Sequence, residues 1–135
     1  MLPPDLEAFL TGYLRAVLAV ETDNKVPDGW DGTTTLVTVR DDGGPMTGPT
    51  TFDRSVGVTV YAGSRRDVSA SKAIARRAFA ALTSPTIVWE KGSPIAAVVE
   101  DGCNGPYQTT DDHDVAVSYM TVEYSAVGDI EDMGP

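Results

Sequence analysis

Apolar residues at three- and four-residue spacing open the chain. Leu6, Phe9, Leu10, Tyr13, Leu14, Val17 and Leu18 form one stripe between Asp5 and Val20, the pattern of a helix lying on a core. Pro3 and Pro4 suit the start of that helix, where a missing N–H donor costs little. From Glu21 to Gly32 the pattern dissolves into turn formers (Asp23-Asn24, Pro27-Asp28-Gly29, Asp31-Gly32), and this stretch is predicted to be a loop. Trp30 is expected to anchor it against a sheet edge. The period then becomes two. Thr34 to Arg40 and Asp53 to Ala62 alternate and are rich in β-branched residues, so they read as two paired strands. The connection between them is too long for a tight turn. Its residues Asp41, Asp42, Gly43, Gly44, Pro45 and Met46 are therefore predicted to project from the body and to be available to partners.

Asp67 or Ser69 can cap a second helix that runs to about Leu82. Its predicted inner face comprises Ala70, Ala73, Ile74, Ala78, Ala81 and Leu82, with Phe79 at the border. Ser84-Pro85 stops the helix. Thr86 to Trp89 and Ile95 to Val99 read as short strands, and Val115 to Val127 as a long closing strand. This order predicts one α+β domain over residues 1–128: a mostly antiparallel, twisted sheet with two helices packed on one face. Residues 129–135 are predicted to be an acidic C-terminal tail.

With 135 residues, 41% of them hydrophobic, the chain has the material for one two-layer core. No apolar run approaches the roughly 20 residues that span a bilayer. The segment Met1-Leu2-Pro3-Pro4-Asp5 lacks the basic start of a signal peptide, so a soluble protein made in the cytoplasm, without membrane contact, is expected. Cys103 is the only cysteine, which excludes an internal disulfide and a thiolate cage for zinc. A formal charge of −10 repels phosphate backbones and argues against a conventional nucleic-acid-binding module.

Candidate chemistry is sparse. Ser69 and Lys72 have the Ser-x-x-Lys spacing of serine acyl-enzymes, but the companion elements are absent and Ser is common at helix starts. Asp111-Asp112-His113-Asp114 offers metal-ligand types, yet adjacent residues rarely converge on one ion and the calcium-loop spacing fails. The glycine clusters lack the following helix and lysine of a phosphate cradle. No catalytic, cofactor-binding or metal-binding residue is assigned, and no cofactor is expected.

Charge placement is more informative. Arg65, Arg66, Lys72, Arg76 and Arg77 are half of the ten basic residues and share one stretch whose only acid is Asp67. Helical spacing brings Lys72 and Arg76 onto one side. A solvated helix face is one reading of this stripe. The other is a subunit interface, in which Arg65, Arg66, Lys72 and Arg76 meet Glu100, Asp101, Asp111 or Asp112 of an identical neighbour.

The strings DLEAFLTGYLRAVL, TTLVTVRDDGGP, DRSVGVTVYAGSRRDVSASKAIARRAFAAL and VAVSYMTVEYSAV, in this order, resemble tail terminator proteins of siphophages, especially of phages infecting actinobacteria. The run Val60-Tyr61-Ala62, a short Ser/Arg turn and an alanine-rich helix carry the likeness most clearly. The resemblance implies a hexameric ring in the virion, at the head-proximal end of the tail. There it ends polymerisation of the tail tube protein and joins the tail to head-completion proteins, with DNA passing through its channel without sequence-specific binding. Other readings stay open: another head-tail connector or the tube subunit itself, an acidic DNA-mimic inhibitor, or a small Ser-Lys hydrolase.

Overall fold

The computed structural model describes residues 1–109 and 114–130. The chain runs α1 (Leu6–Leu18), β1 (Glu21–Asp23), β2 (Leu36–Gly43), β3 (Thr51–Tyr61), α2 (Ser69–Thr83), β4 (Ile95–Val98), β5 (Asn104–Thr109) and β6 (Val117–Val127). The fold is mixed α and β: two helices and one six-stranded sheet ordered β1-β2-β3-β6-β4, with β5 also on β6. All pairings are antiparallel except β1 on β2. β3 and β6 form the centre, in register from Thr51↔Val127 to Tyr61↔Val117. β4 and β5 share the far edge of β6, β4 at Tyr124–Ala126 and β5 at Val117–Thr121.

The alternation read from the sequence assigns the two faces of the sheet. Val37, Val39, Val56, Val58, Val60, Met120, Val122, Tyr124 and Ala126 point to one side, where they form a single core with Leu6, Leu10, Leu14 and Leu18 of α1 and Ala75, Ala78 and Leu82 of α2. Both helices therefore cover the same face. α1 is capped by Asp5, whose Oδ1 accepts from the Ala8 N–H at 3.1 Å; Pro3 and Pro4 precede this cap and stand outside the helix. Glu7 Oε2 accepts the Asp41 N–H at 2.8 Å and seats the first turn of α1 against the end of β2. The Tyr13 and Tyr124 hydroxyls donate to the Ala81 and Leu82 carbonyls at 2.9 and 2.6 Å. The Leu82 carbonyl, an acceptor that the helix end leaves open, is thereby satisfied, and the Ala81 carbonyl gains a second donor beside the Ser84 N–H.

Several expectations are corrected. Glu21–Asp23 is a short parallel edge strand within the stretch read as a loop. Thr86 to Trp89 is not a strand: Ser84 accepts the Thr86 N–H through its side chain, Pro85 occupies the first position, and Pro85–Trp89 closes as a 3-10 turn. Asn104–Thr109 is a strand where none was expected. The seam that α2 buries is Ser71, Ala75, Ala78 and Leu82, while Ala70 and Ala73 are exposed; an alanine is too small to dictate which side of a helix faces inward. Val17 is exposed. Trp30 meets not the sheet edge but the ring of Tyr61, edge to face at 5.0 Å, over the face of the sheet that bears no helix. The tail boundary also shifts, since Asp129 exchanges two backbone hydrogen bonds with Leu2 at 2.9 and 2.8 Å.

Among the described residues, no helix is long and apolar enough to cross a membrane.

Candidate functional site

Because β3 and β6 run the length of the sheet, with α1 on β1 and β2 and α2 on β3 and β6, the molecule has two distinct ends. The first comprises Tyr61, Val117 and the start of α2, where the Ser71 and Ser118 hydroxyls meet at 2.8 Å. The second comprises Thr51, Val127, the β2–β3 connection, the start of α1 and the Leu2–Asp129 bridge.

The first end carries a group of exposed cations. Lys72 and Arg76 are exposed on consecutive turns of α2 and have no ion-pair partner among the described residues; the ion pair found there is Arg40–Asp42, far along β2. Beside them lies a slot of about 200 Å³ between α2 and β5, lined by Lys72, Ala75, Arg76, Pro106, Tyr107, Gln108 and Ser118. Its walls are mainly apolar, and of its polar lining Gln108 donates to Ser118, whose hydroxyl also meets that of the buried Ser71 behind it. Tyr107 is held edge to face on Tyr119 at 5.6 Å yet remains half exposed. Arg65 and Arg66 are exposed in the turn before α2; Arg65 already has an interaction partner.

The second end is acidic and apolar. Asp5, Glu7 and Asp41 border a shallow cleft of about 510 Å³ together with Arg54. Arg54 donates to the Gly44 carbonyl at 2.7 Å and lies over the Phe52 ring. Met1, Leu2, Met46, Val127 and Ile130 are all large apolar side chains left exposed at this end, Ile130 at 89%. Their positions follow from the Leu2–Asp129 and Met46–Phe52 bridges and the Thr51–Val127 pairing.

The residues singled out in the sequence distribute as follows. Asp41, Asp42 and Gly43 belong to β2. Gly44 to Thr50 continue the hairpin, with the Pro45 carbonyl accepting from the Asp53 N–H and Thr47 bonded to Thr51, and Met46 turned outward. Glu100 and Asp101 form a 3-10 turn between β4 and β5. Glu100 borders the same cleft as Phe79 and Thr83 of α2, so it stands on the flank that also carries Lys72 and Arg76. Asp111 and Asp112 lie outside the described residues, as does His113.

The serine of the Ser-x-x-Lys pair is engaged with Asp67. The Ser69 hydroxyl donates to Asp67 Oδ1 at 2.6 Å, and this bond together with the Ser69 N–H holds the Asp67 carboxyl below the usual range. No cluster of three metal-ligating side chains occurs among the described residues. Cys103 donates to the Val99 carbonyl at 3.4 Å.

Sequence reasoning missed the slot because β5 carries Gly105-Pro106, which reads as a turn. A weak signal was present in the alternation of Tyr107 with polar neighbours. No protein-family model matches the sequence, and no curated protein is similar to it at a meaningful level.

Proposed function

We propose that the chain is a subunit of a ring that terminates a phage tail tube, as the resemblance in the order and wording of its elements implies. One observation supports this reading above the others: the two ends of the sheet differ, one with the exposed cations Lys72 and Arg76 beside an apolar slot, the other with an acidic cleft and exposed apolar side chains. Unlike ends suit heterologous contacts between identical copies, which generate rings where the rotation closes. The formal charge of −10 suits a channel wall along which a duplex slides without adhering. The work is then geometric, the partners being other copies, the tube protein and the head-completion proteins, in the virion.

The test is the mass of the purified protein, alone and with tube subunits, combined with electron microscopy of tube ends. Rings of one size on one end of each tube are expected. A persistent monomer that neither caps tubes nor occurs in virions overturns the reading.

A further inference from the structure

We propose that the segment beginning at Ile130 inserts into the slot between α2 and β5 of the next copy, with Ile130 as the apolar anchor and Glu131 and Asp132 meeting Lys72 and Arg76. The proposal rests on the ring reading for its biological setting and names the contact that links one copy to another.

Three observations converge on this occupant. The slot, at about 200 Å³, is smaller than the roughly 300 Å³ at which ligand pockets begin, so it suits one or two side chains and not a drug-sized molecule. Its lining includes Lys72 and Arg76 without acidic partners among the described residues, so the complement is anionic as well as apolar. The sequence Ile130-Glu131-Asp132-Met133 has that character, and Ile130, 89% exposed, stands with Met1, Leu2, Met46 and Val127 among the exposed apolar side chains of the second end, a grouping that marks a contact surface.

Geometry makes the contact intermolecular. The slot lies at the Ser118 end of β6 and Ile130 follows the Val127 end. β6 has 11 residues, about 35 Å at ~3.3 Å per residue. Residues 131–135 reach at most about 18 Å when fully extended, so they cannot return to the slot of their own copy. Tail into slot therefore always joins the second end of one copy to the first end of the next. This is a heterologous contact, which generates a ring where the rotation between copies closes.

The experiment has two arms. First, a fluorescent peptide with the sequence of residues 126–135 is titrated into the full-length protein and followed by anisotropy. Saturable binding is expected, reduced at least tenfold by K72E/R76E and by Ile130→Asp in the peptide, and weakened by added salt. Both cations are exposed, so the double variant should keep its melting temperature, and the peptide substitution leaves the receptor untouched. No binding, or equal binding of the Ile130→Asp peptide, overturns the proposal. Second, the chain truncated after Asp129 is examined by sedimentation and on tube ends. Loss of self-association is expected. Native rings on tubes without the segment overturn the insertion and leave the terminator reading standing, whereas tail-dependent association without any affinity for tubes supports the insertion and removes the terminator reading.

Discussion

At the scale of single residues, buried hydroxyls carry unusual weight in this molecule. Tyr124 is fully buried and its hydroxyl satisfies the Leu82 carbonyl. Tyr124→Phe leaves that carbonyl without a partner, which costs about 1–3 kcal/mol, measurable by chemical denaturation. Burial pushes the Tyr124 hydroxyl above its ordinary value of 10, and Tyr13 moves the same way. The unfolded chain therefore releases these protons first. Their contribution is complete below about pH 10 and declines as pH rises toward the folded-state values. Denaturation midpoints should fall with pH in that window, and less steeply in Tyr124→Phe. Asp31 behaves in the opposite sense: hydrogen bonds from the Thr34 hydroxyl and N–H and from the Thr33 N–H depress its carboxyl. Carboxyl NMR titration should find it still ionised where ordinary aspartates have protonated, and lowering the pH past its ordinary range should cost the loop its bracing.

At the scale of elements, the strongest periodic segments declared themselves in the sequence: α1, β3, α2 and β6 stand close to where alternation or helical spacing placed them, whereas β2 runs on through Asp41–Gly43, residues expected to project, because β3 pairs with them as far as Ser55. The elements that did not were governed by local bonding. β1 is three residues long and gains its identity only from Leu36, Val37 and Thr38 beside it. Thr86 to Trp89 has a strand's composition, but the Ser84-Pro85 cap dictates a 3-10 turn. The inner face of α2 was rotated because Ser71, polar and unremarkable in sequence, is buried against Ser118. The slot was hidden for the same reason, since it depends on β5 lying beside α2. Two substitutions examine the packing. Leu10→Ala removes the centre of the α1 seam and should cost about 2–5 kcal/mol, read from the denaturant midpoint. Gly44 has φ +152, and an added Cβ would collide with the Asp53 carbonyl. Gly44→Ala should therefore disrupt the outer part of the β2–β3 hairpin, by about 1–3 kcal/mol, with NMR shift changes confined to the end that carries Met46.

At the scale of the whole molecule, the division into unlike ends makes association directional and salt-dependent. Exposed opposite charges are screened over about 8 Å at physiological ionic strength, so any assembly that pairs the α2 cations with acidic partners should weaken as salt rises; sedimentation across a salt series reads this directly. Charge reversal at Lys72 and Arg76 should abolish that dependence without altering the circular dichroism of the monomer.

The two tyrosine hydroxyls fasten only the last turn of α2. Its other extremity has Val68 in the capping position with no side-chain acceptor, and is tied to the sheet by a single buried hydroxyl pair, Ser71 with Ser118. Each extremity is thus bolted on its own, and the bolts can be drawn separately: Ser71→Ala should speed amide deuterium uptake in the opening turn alone, and Tyr124→Phe in the closing turn alone.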